Sequence, residues 1–130
     1  MVNINMNEDV KNSLVEKVSE NKDLLLDLTS RMVQIPSESP KSDTREIAAE
    51  IAGVLEKIDG VEVSFHTLEE PITNIVARVK GSSPGKRLVL NGHLDTYPVG
   101  DESLWTNNPF SGHEKDGRMY GRGVSDMKAV

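Results

Sequence analysis

His93 and Asp95 stand two residues apart at the end of the run Leu88-Val89-Leu90-Asn91-Gly92, and Asp126 follows Gly121-Arg122-Gly123-Val124-Ser125. A histidine can present one neutral ring nitrogen to a metal while the other donates a hydrogen bond that fixes tautomer and ring orientation, and Asp95 is spaced to accept it. A carboxylate has two oxygens, so Asp126 can bridge two cations about 3.5–4 Å apart. Taken singly, each feature has an ordinary reading: a polar pair in a loop, and a helix-capping Asp after a glycine-rich turn. The Gly-x-Gly is no phosphate loop, because no Gly-Lys-Ser/Thr follows it. The chain has no cysteine, which excludes a thiolate site and a disulfide framework, so any metal sits on imidazole and carboxylate.

Other side chains of these types read more simply as structure. His66 falls on the polar face of an alternating segment and His113 precedes a turn, so both read as surface histidines. Trp105 and Phe110 read as loop anchors packing on a sheet. Tyr97 lies near the motif without an assigned role. Arg45, Glu46, Glu50, Glu56 and Lys57 form the wet face of a helix.

The elements that must position the site emerge from periodicity. From Glu8 to Gln34 apolar residues recur at helical steps (Val10, Leu14, Val15, Val18, then Leu24, Leu25, Leu28, Met32), with a bend expected at Asn21 and a stop at Pro36. A second helix is capped by Ser42, Asp43 or Thr44, buries Ile47, Ile51, Val54, Leu55 and Ile58, and ends at Gly60. The period then becomes two: Val61, Val63 and Phe65 oppose Glu62, Ser64 and His66, and Asn74 to Lys80 forms a further strand. Arg87 to Asn91 predicts a short strand with both faces covered, delivering His93 at its carboxyl end, the edge where open α/β sheets bind ligands. Asp116-Gly117 predicts a tight hairpin turn. Helices followed by strands point to an α/β domain.

A length of 130 residues fits one modest domain or a piece of a larger one. The net charge of −6 and the scattered Lys and Arg argue against nucleic acid or an anionic membrane as partner. The residues Met1 to Val10 show neither a basic nor an apolar leader region, and no apolar run approaches membrane-spanning length, so the expected location is the cytoplasm.

Asn91 to Asp101, Trp105, Pro109-Phe110 and Asp116 to Lys128 together resemble one family, the zinc-dependent hydrolases that include acetylornithine deacetylase, succinyl-diaminopimelate desuccinylase, aminoacylase and glutamate carboxypeptidase. Leu24 to Ser39 is similar to that family's first helix and the loop after it. The resemblance implies a three-layer αβα catalytic domain with a mixed, largely parallel sheet, of which residues 1–130 are the N-terminal portion. It implies metal ligation by His93 and Asp126, Asp126 bridging two zinc ions, with cobalt or manganese also accepted. Asp95 is then the catalytic residue that supports His93. It further implies a cis peptide at Asp126-Met127, hydrolysis of an amide bond in an N-acyl amino acid or small peptide, and a homodimer. The family's Glu-Glu pair, a later acidic ligand, a later histidine and the dimerisation domain have no counterpart here, and this departure reads as truncation. The competing expectation is a remnant or a binding or assembly module without catalysis.

Overall fold

The computed structural model describes residues 7–40 and 43–129. Two helices come first, α1 over Glu8–Glu20 and α2 over Lys22–Val33. Asn7 starts α1 by accepting a hydrogen bond from the Asp9 amide (3.1 Å). Asn21 divides the two helices as expected, its side-chain amide donating to the Lys17 carbonyl (2.8 Å). Within α1 Lys17 and Glu20 pair at 2.7 Å, and Arg31 of α2 joins Asp27 (2.9 Å) and Glu50 of the next helix.

That next helix is α3, Arg45–Leu55. Of its three expected caps, Thr44 holds the N-cap position without a side-chain cap bond, Asp43 before it accepts from the Arg45 amide (3.1 Å), and Ser42 lies outside the described residues. The Thr44 side chain does something else. Its buried hydroxyl accepts from the Thr73 amide (2.7 Å) and donates to the Thr73 carbonyl (2.8 Å), fastening the start of α3 to the sheet.

The first sheet pairs β1, Val61–Glu69, with β2, Ile72–Val79, antiparallel, Phe65 opposite Ile75. A second hairpin pairs β3, His113–Lys115, with β4, Arg118–Tyr120. Its turn residues Asp116 and Gly117 have φ of 52° and 72°, the two positive values that a type I′ turn demands and Asp-Gly supplies. A parallel bridge between Glu38 and Thr96 joins the loop after α2 to the segment carrying His93 and Asp95. Its bonds run from the Thr96 amide to the Ser37 carbonyl (2.8 Å) and from the Ser39 amide to the Thr96 carbonyl (2.9 Å).

Two expectations are corrected. Arg87–Asn91 forms no strand, and Leu88, Val89 and Leu90 are largely exposed; no neighbouring strand among the described residues pairs its backbone groups, and a strand exists only through such pairing. The apolar stripe of α1 is likewise exposed, and α1 has no buried residue. The core instead gathers at the end of α2, where Met32, Ile35 and Ile47 pack with Leu28, Ile51 and Leu94. In α3 the buried face is Ile47, Ala48 and Ala52, with Ile51, Val54 and Leu55 half-buried and Ile58 exposed. Among the described residues no helix is long and apolar enough to cross a membrane.

Lys128 ties the far end of the chain to this core. It is buried, and its Nζ donates to the carbonyls of Ile35 (2.7 Å) and Met32 (2.9 Å), the latter also accepting from the Ile35 amide (3.2 Å). Burial lowers its ammonium to about 8, against the opposing pull of Glu38. Replacing Lys128 by Met fills the space but strands the Ile35 carbonyl and leaves the Met32 carbonyl only the Ile35 amide. The expected loss is about 1–3 kcal/mol of unfolding free energy, the scale of unpaired buried acceptors, read from denaturant unfolding midpoints. An unchanged midpoint would mean water replaces the ammonium without loss.

Candidate metal centre

Three local features deliver the site. The loop after Asn91 carries His93 and Asp95 and is held in register by the Thr96 bridge to Ser37 and Ser39. An irregular turn over Val124–Lys128 carries Asp126; Asp126 and Met127 there leave helical geometry, with φ/ψ of −140°/93° and −136°/45°. The Asp126–Met127 peptide is cis, as the resemblance implies. Gly123 makes the entry possible. Its φ is +81°, and a Cβ there would lie 2.5 Å from Cγ2 of Thr96, so the turn is pressed against the loop that bears His93.

The structure brings together the three predicted residues. The Nε2 of His93 lies 2.9 Å from Oδ1 of Asp126, across 33 residues of sequence. The Nδ1 donates to the backbone carbonyl of Asp95 (2.8 Å), while the Asp95 carboxylate stands farther off at 3.4 Å. Asp95 therefore faces the ring with two acceptors, its carbonyl the nearer. The carboxylate of Asp126 is 85% exposed and that of Asp95 43%, so both are open to solvent and to a cation. Ser39, Thr73, Asn74 and Asn91 line the groove beside His93.

Both ring nitrogens of His93 thus face oxygens that only accept. The arrangement suits the imidazolium, which donates from both. The hydrogen bond to the Asp95 carbonyl, followed by that to the Asp126 carboxylate, raises its proton affinity above the ordinary level. With Nδ1–H committed to Asp95, Nε2 is the nitrogen left for a metal, and it already meets a carboxylate oxygen. That donor set, one imidazole nitrogen and one open carboxylate, fits zinc. Among the described residues no three side chains of the metal-ligating types converge.

The other sequence candidates lie apart. His66 is exposed and hydrogen-bonds Ser64 at 3.0 Å. His113 is half-buried and its ring stands 6.3 Å from that of Tyr120. Trp105 anchors its loop by donating to the Val99 carbonyl (3.1 Å), with the Arg122 guanidinium 5.1 Å above its ring. Tyr97 is exposed. Sequence reasoning passed over Met127, whose sulfur meets the His93 amide, and Lys128, which anchors the Asp126 turn. The signal for Lys128 was a lone cation beside Met127, Ala129 and Val130, too short a pattern to read.

In the metal-free protein His93 is expected to titrate above its ordinary 6.5, and Asp126→Asn to bring it part of the way down, leaving the Asp95 contribution. A raised pKa means that the stabilisation is fully present below the unfolded value and is lost as pH rises through the folded one. An NMR titration of the imidazole Cε1 proton reads this directly; identical curves for wild type and Asp126→Asn would show that the pair does not form in solution.

Residues 89–130 match the family described as Peptidase family M20/M25/M40. The chain is 41% identical over 110 residues to a succinyl-diaminopimelate desuccinylase of Nitrobacter hamburgensis, covering 79% of this chain and 26% of that protein. It is 33% identical over 119 residues to the N-formyl-4-amino-5-aminomethyl-2-methylpyrimidine deformylase of Bacillus subtilis, covering 89% of this chain and 28% of that one. Among solved structures it is similar in fold to human carnosine dipeptidase 1, with a TM-score of 0.61 and 24% identity over 90% of this chain and 28% of the other. The chain spans about a quarter of the length of the relatives it matches.

Proposed function

We propose that residues 1–130, of which 89–130 match peptidase family M20/M25/M40, are the N-terminal portion of the catalytic domain of a two-zinc hydrolase. It cleaves the amide bond of an N-acyl amino acid or small peptide. The observation that carries this reading is the meeting of His93 Nε2 with Asp126 Oδ1 at 2.9 Å, on two segments brought together from separate parts of the chain. The desuccinylase and deformylase relatives, both named for removing an acyl group, support the substrate class.

When bound, zinc supplies Lewis acidity to the scissile carbonyl and to the attacking water. His93 would hold it through Nε2, and Asp126 through its exposed carboxylate. Asp95 keeps the proton on Nδ1 and fixes the ring, so that Nε2 is the nitrogen that gives up its proton for a metal. Two ligands fall short of the three or four that a zinc site uses, so the remaining ligands and the general base belong to further residues of the whole protein. The homodimer and the cytoplasmic location expected from the sequence remain part of this proposal, and cobalt or manganese are accepted alternatives to zinc.

The test uses the whole protein. Zinc-dependent hydrolysis of N-succinyl and N-acetyl amino acids is expected, abolished by chelation and by His93→Ala. Asp95→Asn keeps the shape but weakens one of the acceptors facing the ring, and should lower turnover about 10–100-fold with the circular dichroism spectrum unchanged. Hydrolysis that survives both the chelator and His93→Ala would end the proposal.

A further inference from the structure

Met127 touches the other half of the site in two places. The His93 backbone amide donates to its sulfur at 3.3 Å. Its terminal methyl presses on Gly92, where an added Cβ would lie 2.9 Å from Cε and 3.3 Å from the sulfur. The side chain of the residue after Asp126 thus crosses to the backbone that carries His93, alongside the His93–Asp126 contact itself. Neither contact is required by the fold of either segment: the His93 loop is registered through Thr96, and the Asp126 turn through Lys128. Both contacts do act on the distance between the two.

We infer that Met127 is a positioning residue, a bolt that sets the His93 backbone against the Asp126 turn and so fixes the separation of the two metal-binding side chains. This rests on the two-metal reading for its catalytic meaning, but the contact is a property of the protein without metal. A thioether suits the role. It is a weak acceptor with a polarizable, unbranched stem, able to fill the gap above a glycine and still meet an N–H. Gly92 belongs to the same device, because a side chain there would drive the methyl away and take the sulfur from His93.

The inference is tested in the metal-free whole protein by hydrogen exchange at the His93 amide. The Thr96 amide, which donates to Ser37, serves as the internal reference for general loosening. In Met127→Ala the His93 amide is expected to exchange roughly 10-fold faster while Thr96 is unchanged. Zinc affinity by calorimetry should fall on the order of 10–100-fold, the scale of lost ligand orientation. Met127→Leu keeps the bulk over Gly92 but not the acceptor, so it should recover most of the zinc affinity while the His93 amide stays fast. Exchange at His93 equal to wild type in Met127→Ala would overturn the inference, as would a parallel rise at Thr96, which marks a purely structural residue. If Met127→Ala does not fold, Met127→Leu decides through the same two amides. A wild type that binds no zinc would sink the two-metal reading instead, and leave the exchange comparison standing.

Discussion

A buried ammonium governs the geometry of this chain. Lys128 lies two residues beyond Asp126, and its nitrogen sits on the carbonyls of Met32 and Ile35, more than ninety residues away in sequence. The end of a helix leaves carbonyls without partners, and in a buried place each needs a donor. By supplying that donor, Lys128 pins the Asp126 turn to the densest part of the core. Charge burial opposes the arrangement, which is why its pKa falls to about 8. Two charge-assisted hydrogen bonds, one to the Ile35 carbonyl and one to a Met32 carbonyl that also accepts from the Ile35 amide, offset that opposition.

The second fixed point is the threonine bridge. Thr96 exchanges backbone bonds with Ser37 and Ser39, on the loop that leaves α2. Both halves of the site are therefore referred to one helix end: His93 and Asp95 through Ser37 and Ser39, Asp126 through Met32 and Ile35. Gly123 lets the halves close, since any side chain there would meet Thr96. Rigid reference to a common element is what a metal-binding pair needs, because ligand atoms must converge within tenths of an ångström.

Much of this was legible in the sequence. The half of the α2 stripe at Leu28 and Met32 (Leu24 and Leu25 are exposed), the break at Asn21, the Asp-Gly turn and the pairing of His93 with Asp95 are local patterns, carried by residues within a few positions of each other. The meeting of His93 with Asp126 came from resemblance, because no periodicity relates positions 33 apart. What escaped reading was long-range. Thr44 takes the N-cap position, but its hydroxyl bonds a strand, since a hydroxyl's partner depends on what packs beside it. Arg87–Asn91 had the composition of a strand, but a strand is a property of pairs, and composition cannot supply the partner. Met127 and Lys128 belonged to the resembling motif, but their contacts exist only once α2, the His93 loop and the last turn are assembled.

The same distinction explains where the chain is firm and where it is open. Buried residues gather around the end of α2, the start of α3 and the Thr96 bridge, while α1 and the Leu88–Leu90 stretch keep their apolar side chains exposed. The stretch before His93 is thus open on its upstream side and held on its downstream side. His93 is placed by its downstream neighbours Asp95 and Thr96 and by the Met127 sulfur, and not by the strand-like run that leads into it. The ring then carries opposing demands at its two nitrogens. Nδ1 holds its proton on the Asp95 carbonyl, whereas the Nε2 proton is drawn toward Asp126. On the proposed metal-binding reading, a cation at Nε2 would displace the proton that Asp126 favours there, and binding would be coupled to proton release.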